Sequence, residues 1–240
     1  MVVALVVLAA VNTPERRLHQ RVWAQALMLA PKIVVLDPGH GGIDTGAAGP
    51  REVTEKDITL PVCLYLKEYL SLSGARVLLT RQDDKELSED FEEDLRLRVD
   101  LVKRRRATLF LSIHGNSFPG PSEYGAQTFF SNNHGDSERL ARCIQAELKR
   151  LAPLGENYRE VQSDDFYVLR NSPVPAALVE IGFLSHPGEE QLLADPAYQR
   201  QLAWHIFAGL VAFWRGEGTP KGVPDQSLTP VSRRSTIGAR

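Results

Sequence analysis

Short, β-branched apolar runs alternate with longer amphipathic runs through most of this chain. KIVVLD (32–37) and ATLFLSIH (107–114) are brief and mostly apolar, the mark of strands buried on both faces. ARVLLTR (75–81), GAQTFFS (125–131), FYVLR (166–170) and AALVEIGFLS (176–185) read as further strands. DITLPVCLYLKEYLSLS (57–73) has helical apolar spacing, with Pro61 expected in its first turn and Gly74 ending it. DLRLRVDLVKRRR (94–106) puts Leu95, Val99 and Val102 on one helical face. An Asp/Ser cap is expected to open the helix of DSERLARCIQAELKRLA (136–152), and AYQRQLAWHIFAGLVAFW (197–214) reads as a closing helix. This order implies an α/β fold: one domain with a central, mostly parallel or mixed sheet flanked by helices on both faces.

The alternation occupies residues 31–216 of the 240. Residues 1–30 begin with an apolar run, VVALVVLAAV (2–11), too short to span a bilayer as a helix. Its length suits a signal peptide, although a basic start is missing, and the segment is expected to be an export signal or membrane anchor. The protein is therefore expected outside the cytoplasm, with membrane association through this segment. Residues 217–240 are rich in Gly, Pro, Ser and Thr and are expected to be disordered. A formal net charge of −2 gives no global basic field for nucleic acid. Cys63 and Cys143 lie apart in helical patterns, which argues for buried thiols and against a disulfide framework or cysteine zinc site.

Three strands end in reactive chemistry. VVLDPGHGG delivers His40, FLSIHGNS delivers His114 and ALVEIGFLS delivers Glu180. In open α/β sheets, sites form beyond the carboxyl ends of the strands, so neighbouring parallel strands bring these residues together. GHGG is neither GxGxxG nor a P-loop, which sets aside a phosphate cradle. Its glycines suit a backbone that a bulky substrate approaches closely. A catalytic zinc takes three protein ligands and keeps one position open. His40 and His114 supply two, and the third comes from Glu52, Glu55 or Asp57. Glu55 is favoured, because EKD (55–57) opens the next helix near the strand ends.

The motifs LDPGHGGIDTGAAG, TEKDITL, TRQDD, LRLRVDLVKRRRATLFLSIHGNS, GAQTFFS and FYVLRNSPVPAALVEIGFLSHPGEEQLL follow one another from about Lys32 to Trp214. In content, order and spacing they resemble the zinc-dependent N-acetylmuramoyl-L-alanine amidases of the type-3 family. Within it the chain looks most like the short sporulation amidases that prepare spore-cortex peptidoglycan for germination. The resemblance implies one zinc ion held by His40, Glu55 and His114, with Glu180 as the catalytic glutamate. It implies cleavage of the amide between the lactyl group of N-acetylmuramic acid and L-alanine, and an accessory activator protein as a partner. Asn116, Arg159 and Arg170 are candidate substrate contacts; Asp37 is expected to hold a turn, and His186 to open a helix. Relatives often carry a lysine where this chain has Gln162, which puts contacts near Arg159 in doubt. Some relatives insert an autoinhibitory helix where this chain has only DDKELSEDFEEDLRLR (83–98), expected to be a solvated loop running into a helix. The alternatives are a zinc carboxypeptidase or other metallohydrolase, which needs a cationic pocket, and a catalytically silent wall-binding module.

Overall fold

The structure, a computed structural model, describes residues 32–217 together with 20, 23, 24 and 29. The greater parts of the leader and the tail lie outside the described residues. Among those described, no helix is long and apolar enough to cross a membrane.

Six strands form one sheet in the order β2-β1-β3-β6-β4-β5. They are β1 (Ile33–Pro38), β2 (Arg76–Leu79), β3 (Leu109–Asn116), β4 (Gln127–Phe130), β5 (Gln162–Ser163) and β6 (Ala176–Phe183). β2, β1, β3 and β6 run parallel, and β4 joins β6 antiparallel. The helices are α1 (Glu55–Leu72), α2 (Phe91–Arg104), α3 (Ser137–Leu148), α4 (Tyr167–Arg170), α5 (Pro187–Leu193) and α6 (Pro196–Trp214).

The two faces are covered unequally. Val34, Leu36, Leu111, Ile113, Val179 and Ile181 face one way, into a large core shared with α1, α3 and α6. Leu29 belongs to that core, and the Trp23 ring packs on Tyr69, Trp204 and Phe207. Trp23 and Leu29 are thus part of the packed domain. Val35, Phe110, Ala176 and Leu178 face the other way, under α2 and the single turn of α4. Strand alternation puts Asp37, Ser112, His114 and Glu180 on this thinly covered face, toward the carboxyl ends of the parallel strands.

Several local expectations are corrected. FYVLR is a helical turn, α4, in which the amides of Leu169 and Arg170 both donate to the Phe166 carbonyl. A strand would send Val168 and Leu169 to opposite faces, whereas both are buried in one cluster. Pro61 lies in the second turn of α1, because the helix starts at Glu55. Arg81 supports the first turn, before the proline, by donating to the Lys56 carbonyl at 3.1 Å. Asp136 does not cap α3; it is helical in conformation and its carboxylate is held by Arg139. The Ser137 hydroxyl instead accepts from the Ala176 amide, tying the helix start to β6.

Candidate metal centre

His40 stands just beyond β1, in the loop that crosses the open face. Its φ of +61° is left-handed, an uncommon state for a non-glycine residue. Two buried arginines hold that loop in place. Arg98 donates to the carbonyls of Pro38 (2.9 Å) and His40 (3.1 Å), and Arg81 to those of Pro38 and Gly39 (both 3.1 Å). Arg98 is itself fixed by Asp37 at 2.8 Å and Asp94 at 2.5 Å. Asp37 therefore does not shape a turn. It lies buried within β1, accepting from Thr80, Ser112 and Arg98. Burial alone would raise its pKa; Arg98 and the two hydroxyls outweigh burial and lower it.

Glu55 is the first residue of α1 and 5% exposed. Its Oε1 lies 3.0 Å from His40 Nε2 and 2.7 Å from His114 Nδ1. Its two oxygens also accept from the amides of Gly115 and Ala47, each at 3.0 Å. The β3–β6 register shifts between His114 and Asn116, which leaves the Gly115 amide free of the ladder to reach Glu55. Asp44 Oδ2 sits 2.7 Å from His40 Nδ1, so Nε2 is the nitrogen left for a cation.

One donor atom each from His40, Glu55 and His114 falls within 4.8 Å of the others. Two imidazoles and a carboxylate on three separate elements, with a carboxylate behind one imidazole, are the donor set and support that zinc takes. The other acids considered, Glu52 and Asp57, point elsewhere. Glu52 is an exposed turn residue with φ +65°, and Asp57 accepts from the Thr54 hydroxyl. Burial lowers the His40 pKa, but Glu55 and Asp44 outweigh it and raise it to about 9. Burial would raise Glu55, and the hydrogen bonds from His114 and His40 reverse this and lower it strongly.

Glu180 is directly across the sheet from His114 in the parallel register. Its Oε2 is enclosed and has no hydrogen-bond partner among the described residues. Burial first, and then the Glu55 charge, raise its pKa to about 7 against the opposing histidines. All four residues line one cleft of about 580 Å³. Phe91, Leu95, Phe166, Tyr167 and Leu178 give the cleft apolar lining, and Asn116 lines it too.

Arg159 and Arg170 do not line the cleft. Arg159 lies over the Phe183 ring and pairs with Glu123, and Arg170 pairs with Asp165 at 2.9 Å. The glycines of the loop make room for the protein's own side chains. A Cβ at Gly39 would lie 2.3 Å from the His114 ring, and one at Gly46 would lie 2.6 Å from a Glu55 oxygen. The 83–98 stretch is not merely solvated. Asp84 accepts from the Gly42 amide and from Lys56, and Asp94 accepts from the Leu87 amide, so the stretch braces the His40 loop. His186 caps α5, accepting from the amides of Gly188 and Glu189.

The sequence model of the N-acetylmuramoyl-L-alanine amidase family matches residues 34–212. The chain belongs to that family. The germination-specific N-acetylmuramoyl-L-alanine amidase of Bacillus subtilis is 39% identical over 204 residues, covering 81% of this chain and 85% of that one. The amidase AmiA of Escherichia coli is 28% identical, covering 76% of each chain. Among solved structures, the CwlD amidase of Clostridioides difficile, determined in complex with the GerS lipoprotein, superposes with a TM-score of 0.73 at 39% identity. That match covers 78% of this chain and 100% of that one. The catalytic domain of the amidase CwlV from Paenibacillus polymyxa gives a TM-score of 0.69 at 31% identity, covering 77% and 98%. The amidase is thus an α/β hydrolytic domain whose open sheet face carries a His/Glu/His cluster. Sequence reasoning missed the Arg81 and Arg98 clamps, although TRQDD and the 94–106 helix contain both.

Proposed function

We propose that this amidase is zinc-dependent, that His40 Nε2, Glu55 and His114 Nδ1 hold the ion, and that Glu180 is its proton carrier on spore-cortex peptidoglycan. The observation that carries this reading is the enclosed Glu180 oxygen, without a hydrogen-bond partner among the described residues and one strand across from His114. A buried carboxyl without a partner is costly, and its position beside three ligands gives that cost a use.

When bound there, zinc supplies a Lewis acid that polarises the scissile carbonyl and acidifies water. Glu180, raised to about 7 by burial, accepts a proton from the attacking water and returns it to the departing L-alanine amine. Asp44 holds the His40 ring with Nε2 turned inward, and Arg98 and Arg81 hold the loop that carries the ring. The apolar lining excludes water from the scissile amide, and Asn116 is proposed to contact substrate. Arg159 and Arg170 serve as props for neighbouring segments in this reading. Both lie outside the cleft and pair with Glu123 and Asp165, so neither offers the cleft a cation for a free carboxylate, which disfavours a carboxypeptidase built on them.

The likeness to the germination-specific relative supports a cortex role outside the cytoplasm. The likeness to the amidase solved with a lipoprotein supports an accessory partner of that kind. The test is a zinc titration of the chelator-stripped full chain on purified cortex peptidoglycan, following stem-peptide release. Release that rises to a plateau at one zinc per chain, and is lost in Glu180→Gln, is expected. Zinc binding with no release from cortex, alone or with the partner lipoprotein, would refute the reading.

A further inference from the structure

The mechanism leaves one fully buried carboxylate without a task. Glu190 of α5 is 0% exposed, yet it belongs neither to the ligand cluster nor to the cleft. Its Oε1 reaches into the turn that precedes α1, accepting from the amides of Arg51 at 2.7 Å and Val53 at 3.3 Å. Its Oε2 is enclosed and has no partner among the described residues. Gly49 is shaped around it: a Cβ there would lie 2.3 Å from Oε1. The same turn contains Glu52 at φ +65°, a strained state for a side-chain-bearing residue.

This turn delivers Glu55. It is closed by the Gly49 amide on the Val53 carbonyl at 3.0 Å and by a bridge between Ala48 and Thr54. Glu55 follows at once, its amide donating to the Ala47 carbonyl at 2.8 Å and its Oε2 accepting from the Ala47 amide. Backbone amides that point into a turn need an acceptor, and without one the turn opens.

We infer that Glu190 is a positioning residue for the metal centre, an internal anchor that fixes the 49–53 turn and through it the Glu55 carboxylate. The inference rests on the proposed zinc site. Ligand supports beyond the first contact are worth on the order of 10–100-fold in metal affinity, and Glu190 acts through one backbone turn. Its removal is therefore expected to weaken zinc binding roughly 10-fold.

The experiment measures zinc affinity by competition with a chromophoric chelator, on the full chain and its variants, alongside the melting temperature of the metal-free forms. Glu190→Ala is expected to bind zinc roughly 10-fold more weakly. Glu190→Gln keeps an acceptor oxygen and is expected to stay within about twofold of the parent. Glu189→Gln is the control. Its carboxylate holds the amides of Gly125 and Phe183, not the ligand turn, so it should change melting and not affinity. If Glu190→Ala does not fold, Gly49→Ala perturbs the same contact from the other side and carries the same expectation. Parent-like zinc affinity in a folded Glu190→Ala or Gly49→Ala variant would overturn the inference. Failure of the parent to bind zinc would instead overturn the metal site itself.

Discussion

Arg98→Met is the perturbation with the most determined outcome. Arg98 is 3% exposed and Asp37 is 1% exposed, and they meet at 2.8 Å inside the fold. Removing one partner of such a pair leaves an uncompensated buried charge, which costs about 3–5 kcal/mol. Asp37 keeps the Thr80 and Ser112 hydroxyls, each at 2.7 Å, which favours the lower end. At 2–4 °C per kcal/mol for a domain of this size, the expected loss in Tm is roughly 6–20 °C. The pH dependence gives a sharper test. In the parent, Asp37 is held below its ordinary value, so its contribution is present above the unfolded pKa and lost as pH falls through the folded one. Arg98 is the largest influence opposing burial, so without it the folded pKa is expected to rise above the unfolded value. The carboxylate then destabilises at high pH, and that cost fades as acid protonates it. Urea unfolding of the chelator-treated proteins is expected to show a larger deficit at about pH 8 than at about pH 5. Arg98→Met/Asp37→Asn should recover a good part of the deficit. A deficit under about 1 kcal/mol that does not change with pH would refute the buried-pair reasoning.

Other expectations bear on the site. His40 is raised to about 9, so zinc held at the proposed site is expected to displace a proton from it at neutral pH; calorimetry in buffers of different ionisation enthalpy should find about one proton released near pH 7, falling away as pH passes 9. Asp44→Asn should weaken zinc binding about 10–100-fold by loosening the His40 ring, as read by chelator competition. Glu180→Gln should keep its zinc and lose about 10²–10⁴-fold in kcat, with kcat/KM of the parent falling in acid as Glu180 takes up a proton. Gly39→Ala should abolish zinc binding, because its Cβ occupies the space of the His114 ring, and a normal far-UV spectrum would show that the fold survives.

What was legible in the sequence followed from periodicity and strand ends. VVLDPGHGG, FLSIHGNS and ALVEIGF each carry a mainly apolar strand toward a reactive polar residue, so His40, His114 and Glu180 could be set on adjacent strand ends, where the sheet order places them. Glu55 could be chosen from three acids because it opens a helix. The parts that escaped are those fixed by tertiary contact. FYVLR has strand-like composition, but its neighbours bury Val168 and Leu169 on one side, which only a helical turn allows. Pro61 signalled a helix start, yet the helix begins six residues earlier at Glu55, where Arg81 and Thr59 donate to the Lys56 carbonyl of the first turn. Arg81, Arg98 and Glu190 look like surface charges in a one-dimensional reading. Their roles depend on partners distant in the chain, such as Lys56, 25 positions from Arg81, Asp37, 61 from Arg98, and Arg51, 139 from Glu190.

The central claim is that a site built from His40, Glu55, His114 and Glu180 hydrolyses the lactyl–alanine amide. Its most direct test is digestion of purified peptidoglycan by the zinc-loaded full chain in heavy-oxygen water, read by mass spectrometry, with Glu180→Gln alongside. The account predicts stem peptides with a free L-alanine amino end and no label, a single heavy oxygen in the lactyl carboxylate left on the glycan, and no products from the variant. Label in a new peptide carboxyl terminus, or undiminished release by Glu180→Gln, would contradict it.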